Sequence, residues 1–227
     1  MRILILGDIH GRDCWKSIIE KEQPDQVVFL GDYVSTHDDI SAKKQFENLV
    51  EILDYREHNA NKVILLRGNH DLQHTVGDRW AECSGFSDDV YKKMIKIKDR
   101  FFDLTQWIYL IDGTNYLCSH AGVSVEWMKY CGIDNIGQIN DMLVSKLFGF
   151  LPCKMSDYYG ISPTQPPTWI RPQTLIECGV PGYVHIVGHT RTNGDVVKIQ
   201  EGDITIFLCD CLPNHYLTIE NNIFNIK

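Results

Sequence analysis

The stretch Met1-Arg-Ile-Leu-Ile-Leu-Gly7-Asp8-Ile9-His10-Gly11-Arg12 organises the chain. An apolar run breaks at Gly7 and then offers Asp8 and His10, two metal-capable side chains separated by one residue. If Ile3 to Leu6 is a strand, side chains two apart share a direction, so Asp8 and His10 can converge on one ion. A single Asp-x-His says little. Four later segments repeat the pattern. Gln26-Val-Val-Phe-Leu30 precedes Gly31-Asp32, and Lys62-Val-Ile-Leu-Leu66 precedes Arg67-Gly68-Asn69-His70. Tyr116-Leu-Cys118 precedes Ser119-His120-Ala121-Gly122, and Tyr183-Val-His-Ile-Val187 precedes Gly188-His189. Continuous apolar runs of this kind read as strands buried on both faces. In open α/β sheets, ligands gather at the carboxyl ends of strands, where glycine permits close backbone approach. Five such strands delivering Asp, Asn or His at one end predict an α/β fold built around a dinuclear metal site.

Composition narrows the functional classes. The 227 residues, 44% of them hydrophobic, suit one domain over 1–227. A net charge of -8 argues against a long nucleic-acid footprint, which leans on Lys and Arg, but leaves room for a small phosphorylated substrate. No apolar stretch approaches a membrane span. Met1 to Leu6 is too short for a signal peptide and runs straight into candidate ligands, so a cytoplasmic location is expected. The eight cysteines lack the regular spacing of a disulfide framework and read as reduced thiols. Nothing in the sequence fixes the oligomeric state.

Between the strands, Asp13 to Glu22 reads as a short helix closed by Pro24, and Ser41 to Glu57 as an amphipathic helix. The third strand runs to Asn69, and Asp71 to Gly85 looks irregular. Asp88 to Leu104 reads as one further amphipathic helix, and Asp112-Gly113 as the turn of a hairpin. Val125 to Phe150 is expected to be mostly helical. The Pro-, Tyr- and Ser-rich insertion at about 151–172 is too long for a plain connection and is expected to lie over the site. Val196 to Ile226 alternates as a run of antiparallel strands.

Oxygen and imidazole ligands without thiolate suit hard or borderline divalent ions. Two such ions roughly 3.5–4 Å apart can clamp a phosphate while a shared hydroxide attacks in line. A carboxylate from the middle of the set, Asp32, is the natural bridge.

Gly7-Asp8-Ile9-His10-Gly11, Gly31-Asp32-Tyr33-Val34, Gly68-Asn69-His70-Asp71, His120-Ala121-Gly122 and Gly188-His189-Thr190 together resemble the calcineurin-like metallophosphoesterases. The likeness is to the phosphoprotein-phosphatase branch, with its small bacterial and phage members and the symmetrical diadenosine-tetraphosphate hydrolases. The resemblance implies a fold of two mixed sheets packed face to face with helices outside. It also implies metal-dependent phosphoric ester hydrolysis. Asp8, His10 and Asp32 would hold the first ion; Asp32, Asn69, His120 and His189 would hold the second. Manganese is the first expectation, with iron, zinc, magnesium or nickel as alternatives. His70 would be the general acid protonating the leaving oxygen. Arg171 resembles a phosphate-binding arginine of this branch, and Arg191 is a second candidate.

Two departures from the family pattern stand out. Where many metallophosphoesterases carry a second histidine in Gly-His-x-His, this chain has Arg191, as in the phosphatase branch. Where protein phosphatases continue Gly-Asp-Tyr-Val into Asp-Arg-Gly, it has Ser35-Thr36-His37, so the Asp that orients the catalytic histidine and the Arg that grips phosphate are both absent. His37, Arg191 and Arg12 are candidate substitutes. Phosphomonoester hydrolysis, extending to phosphopeptides, is the leading expectation. Symmetrical dinucleoside-polyphosphate hydrolysis is the alternative, and a non-catalytic scaffold of the same fold is the reading from another class. Arg67 reads as structural, His58, His74 and His215 as surface or loop histidines, His185 as a satisfied strand residue, and Cys209 and Cys211 as buried thiols. Trp80, Phe86 and Tyr91 read either as a wall of the cleft or as packing.

Overall fold

The first apolar run is strand β1 (Arg2–Leu6), and its side chains divide by parity. Leu4 and Leu6 point into a cluster with helices, whereas Ile3 and Ile5 point into a second cluster shared with another sheet. That division explains why the run is apolar throughout: both faces of the strand are covered. A computed structural model of the chain provides the structure. It describes residues 1–36, 38–76, 83–141 and 159–227.

Strands β2 (Gln26–Phe29) and β3 (Val63–Leu65) extend the sheet in parallel from β1. The second sheet has β5 (Tyr116–Ser119), β6 (Val184–Arg191) and β8 (Ile204–Asp210) in parallel at its centre. Strands β4 (Ile108–Leu110) and β7 (Val197–Glu201) run antiparallel at its edges. Strands β9 (Leu217–Glu220) and β10 (Ile223–Ile226) leave that sheet and return to the first, β9 pairing antiparallel with β1. The tail is therefore not one antiparallel run: β8 lies parallel to β6, and the chain then crosses between sheets. The sheets meet face to face through Ile5, Val28, Leu30, Ile186, Phe207 and Cys209. This matches the expected sandwich of two mixed sheets.

Helices cover the outer faces. Helix α1 (Trp15–Glu22) stops at Gln23, which is left-handed and followed by Pro24. Helix α2 (Ala42–His58) begins at the N-cap Ser41, whose hydroxyl accepts the Lys44 N–H, and buries Leu49, Ile52 and Leu53 against the first sheet. Of the segment 71–85 expected to be irregular, 83–85 is non-helical, 77–82 lies outside the described residues, and 71–76 belongs to helix α3 (Asn69–Val76). Its polar sequence hides it: Gln73, His74 and Thr75 are buried through hydrogen bonds rather than through an apolar stripe. The expected single helix over 88–104 is broken into α4 (Asp88–Met94), a 3-10 turn (Ile95–Ile97) and α5 (Lys98–Leu104). After α6 (Val125–Cys131) the chain leaves the helix at left-handed Gly132, so the longer helix is not formed in 132–141. The remainder of that reading, 142–150, lies outside the described residues, as do 151–158 of the insertion. Helix α7 (Pro172–Cys178) covers the second sheet through Leu175, against Val187, Ile206 and Leu208.

His185 packs in β6 as a neutral side chain. Its Nε2–H donates to Val180 O at 3.2 Å, while Nδ1 is buried without a partner. Charging the ring would bury an unpaired N–H, and burial accordingly lowers its pKa to about 4. Because the folded value lies below the ordinary 6.5, the unfolded chain binds the proton more readily between those values. His185 therefore contributes stability in full above pH 6.5, and this is lost as pH falls towards 4, to a total of roughly 3 kcal/mol. His185→Gln should flatten the acid limb of denaturant-derived stability across that window. An unchanged limb would refute the assignment.

Candidate metal centre

The donors cluster at the carboxyl ends of strands, and at several of them the backbone turns sharply. After β1, His10 and Gly11 take positive φ (47° and 76°); after β2, Gly31 and Asp32 do the same (109° and 52°). His189, within β6, has φ 60°. Three candidate ligands that are not glycine thus sit in left-handed backbone, each at a cost of about 1–2 kcal/mol. Strain of this kind persists where surrounding structure enforces it, and it clusters at functional sites.

Asp8, Asp32 and His120 bring one ligand atom each to within 4.8 Å of one another, all buried. His10 Nε2 lies 3.8 Å from Asp8 Oδ2, and His120 Nε2 lies 3.4 Å from Asp32 Oδ2. Asn69 Oδ1 is 2.9 Å from both His120 Nε2 and His189 Nδ1. The far nitrogens are anchored: His120 Nδ1 to Leu30 O at 2.8 Å, and His10 Nδ1 to Val34 O at 3.2 Å. An imidazole whose Nδ1–H is given to a backbone carbonyl turns Nε2 towards the site, the arrangement that orients metal-ligating histidines. The structure therefore brings the six candidate residues read from the sequence close together.

The electrostatics fit a cation. Burial, with Asp210 next, raises the Asp8 carboxyl well above its usual range. Burial also opposes charge on Asp32, but His120 and His70 outweigh it and hold that carboxyl well below the usual range. Burial alone would lower His120, yet Asp32 raises it to about 10, so a proton on His120 supplies positive charge where a metal ion would. Burial, with Arg171, holds His189 well below its usual value, and its Nε2 is buried without a partner. A strained carboxylate, crowded donors and a neutral imidazole are the properties of a ligand set for divalent ions.

A cavity of about 470 Å³ opens above these groups and is lined by Asp8, His10, Asp32, Asn69 and His189. His120 is fully buried. His70 lines the cavity too; its backbone N–H donates to Asp32 Oδ1 at 2.9 Å, and its Nε2 lies 3.9 Å from Asp32 Oδ2. Arg171 and Arg191 reach the cavity wall. Arg171 is the N-cap residue of α7, and its Nη1 donates to His189 O and Thr190 Oγ1, both at 3.3 Å. Arg12 also lines the cavity but is paired with Asp38 at 2.8 Å, and His37 lies outside the described residues. From the insertion, Tyr159 and Trp169 line the cavity. Arg67 is structural, as expected: it donates to Thr105 Oγ1 and Phe102 O and sits against the Phe102 and Trp107 rings.

Several residues escaped the sequence reading. His74 is buried rather than on the surface, stacked on Phe86 at 4.8 Å with Nδ1 donating to His70 O at 2.8 Å. Phe86 thus packs in that network, while Trp80 lies outside the described residues. Asp71 is a hub: its carboxylate accepts the N–H groups of Asp32, Tyr33 and Gly68 at 2.8–2.9 Å, so it fixes both turns that carry Asp32 and Asn69. An acidic residue three positions after Gly68 was the signal available for it. Asp210 lines the cavity opposite Arg191 in the β6–β8 register and was hidden between the two buried thiols Cys209 and Cys211.

The sequence model of the calcineurin-like phosphoesterases matches residues 1–190. The chain is 28% identical over 145 residues to the serine/threonine-protein phosphatase 2B catalytic subunit A1 of Saccharomyces cerevisiae, a match covering 61% of this chain and 24% of that protein. It spans about a quarter of the length of the curated relatives it matches. Among solved structures, a mutant cold-active protein tyrosine phosphatase superposes with a TM-score of 0.65 at 16% identity, over 99% of this chain and 77% of that one. A serine/threonine phosphatase from Saccharomyces cerevisiae gives 0.62 at 14% identity, over 100% and 79%. At these identities the structural likeness is one of fold. No helix among the described residues is long and apolar enough to cross a membrane.

Proposed function

The chain belongs to the calcineurin-like phosphoesterases, and on that premise we propose that it is a dinuclear-metal phosphomonoesterase whose substrates extend to phosphopeptides. The observation that carries this reading is the Asp32 carboxylate: Oδ2 faces His120 Nε2 at 3.4 Å and His70 Nε2 at 3.9 Å, at the centre of the convergent donors. Asp8, His10 and Asp32 hold one ion; Asp32, Asn69, His120 and His189 hold the other, with manganese as the first expectation. Two divalent ions in such a site supply Lewis acidity to phosphoryl oxygens and acidify water. Arg171 offers the planar fork that matches phosphate oxygens, steadied by stacking 5.7 Å from the Trp169 ring. His70, which lines the cavity with Nε2 3.9 Å from Asp32 Oδ2, is the group that meets the departing oxygen and stabilises the charge that develops there. The names of the curated relatives, serine/threonine phosphatases, favour phosphoprotein substrates. A cytoplasmic location belongs to the same proposal.

One observation favours a second reading. Tyr159, 73% exposed at the cavity, offers an aromatic face to a planar base, as a dinucleoside polyphosphate would need. The intact donor set counts against a non-catalytic scaffold. The deciding experiment offers manganese-loaded protein a phosphothreonine peptide and diadenosine tetraphosphate in one pot. Faster free phosphate is the expected result. Faster nucleoside diphosphate would transfer the assignment to the second reading, and no turnover with no retained metal would leave the scaffold.

A further inference from the structure

We propose that Gln73 and Ser35 form a positioning pair that fixes the His70 ring with Nδ1 as a hydrogen-bond acceptor and its hydrogen on Nε2, so that His70 meets the departing oxygen as a hydrogen-bond donor. This rests on the phosphoesterase reading for the use made of that proton, but not for its location.

The amide of Gln73 has one orientation. It is almost fully buried in α3, one turn after His70. Its Oε1 accepts the Cys83 N–H at 2.6 Å. Its Nε2 lies 3.1 Å from Ser35 Oγ and 3.0 Å from His70 Nδ1. Reversing the amide would set its NH₂ against the Cys83 N–H, donor to donor, so both of its hydrogens go to Ser35 and His70. His70 Nδ1 is thereby an acceptor. A neutral imidazole that accepts at Nδ1 carries its hydrogen on Nε2, the nitrogen 3.9 Å from Asp32 Oδ2. An imidazolium would have to aim an Nδ1–H at the amide's own N–H.

Ser35 is itself held in place. It has φ 66°, a conformation L side chains rarely adopt, and its N–H donates to Gln45 Oε1 at 2.9 Å. It occupies the position where the phosphatase pattern carries an aspartate. A carboxylate there would take an Nδ1–H and favour the charged ring. The hydroxyl of Ser35 makes its contact through Gln73, and the polarity at Nδ1 is reversed. An Nε2–H that is shared rather than surrendered stabilises only part of the developing charge, so the rate depends steeply on how well the leaving oxygen carries that charge.

Two measurements test this. In ¹⁵N-histidine-labelled, metal-free protein at pH 7, long-range ¹H–¹⁵N spectra should place the His70 hydrogen on Nε2; an Nδ1–H or doubly protonated ring would overturn the proposal. Gln73→Glu keeps an acceptor for Cys83 but presents one to His70, and should move a hydrogen to Nδ1. In the manganese-loaded enzyme it should cut the preference for 4-nitrophenyl over phenyl phosphate, as the ratio of kcat/KM, by about tenfold. An unchanged ratio would overturn the proposal. Gln73→Leu, which leaves Nδ1 without a partner, should give mixed tautomers and provides a second variant should the glutamate disturb folding. If the wild type hydrolyses neither ester, the phosphoesterase reading fails, and the tautomer measurement still decides the pair.

Discussion

Asp32→Asn is expected to lower kcat/KM for phosphate-ester hydrolysis by about a thousandfold or more, with the fold intact. The substitution isolates charge from shape. Asp32 has φ 52°, and asparagine is among the few residues that adopt this region readily, so the turn after β2 survives. The bonds that position the residue survive as well: its N–H donates to Asp71 Oδ2, and Asn retains an Oδ1 to accept the His70 N–H. What disappears is the negative charge facing His120 and His70. Without it, His120 should lose most of its raised proton affinity and fall from about 10 towards the ordinary imidazole range. Metal content by elemental analysis should drop below the wild-type complement, and thermal unfolding of the metal-free proteins should differ by only a few degrees. Activity within tenfold of wild type, with the full metal complement, would remove Asp32 from the centre of the mechanism.

The candidate donors were legible because they stand near the ends of buried strands, where an apolar run gives way to a small residue and a metal-capable side chain. Local order in sequence and local order in space coincide there. The positioning network was not legible, since its members act across the chain. Asp71 holds the Asp32–Tyr33 turn from 39 and 38 positions away, and Gln73 joins Ser35 to His70 through an amide no periodicity could single out. Helix α3 was missed for the same reason: its inward residues are Gln73, His74 and Thr75, buried by hydrogen bonds. The return of β9 to β1 pairs residues more than 200 positions apart, and alternation in the tail predicts strands without saying which sheet receives them. Asp210 ends β8 between two buried thiols, and no local pattern marks its carboxylate as one that lines the cavity.

Gly68→Ala should damage both stability and metal binding, because the space beside Gly68 belongs to Asp32. A Cβ there would overlap Asp32 Oδ1 and come within 2.6 Å of Asp32 N and 2.8 Å of Asp32 Cγ. None of these atoms can yield cheaply. Oδ1 accepts the His70 N–H at 2.9 Å, the Asp32 N–H donates to Asp71 Oδ2 at 2.9 Å, and Gly68 N donates to that same oxygen at 2.9 Å. Gly31 closes the other side: its own Cβ would lie 2.6 Å from Gly68 N, so the two turns are already in contact. Overpacking between fixed groups costs about 1–3 kcal/mol, and this site belongs at the upper end. For a chain of this length that is a fall of about 5–10 °C in Tm. The same methyl would swing the carboxylate away from His120, so affinity for the second ion should fall by more than about tenfold. Gly113→Ala is the control. Gly113 has φ 71° in the β4–β5 turn with nothing near its Cβ, so it should show only the backbone penalty of about 1–2 kcal/mol and unaltered metal binding. Equal metal affinities for the two variants would show that the carboxylate is not held by the packing between these turns.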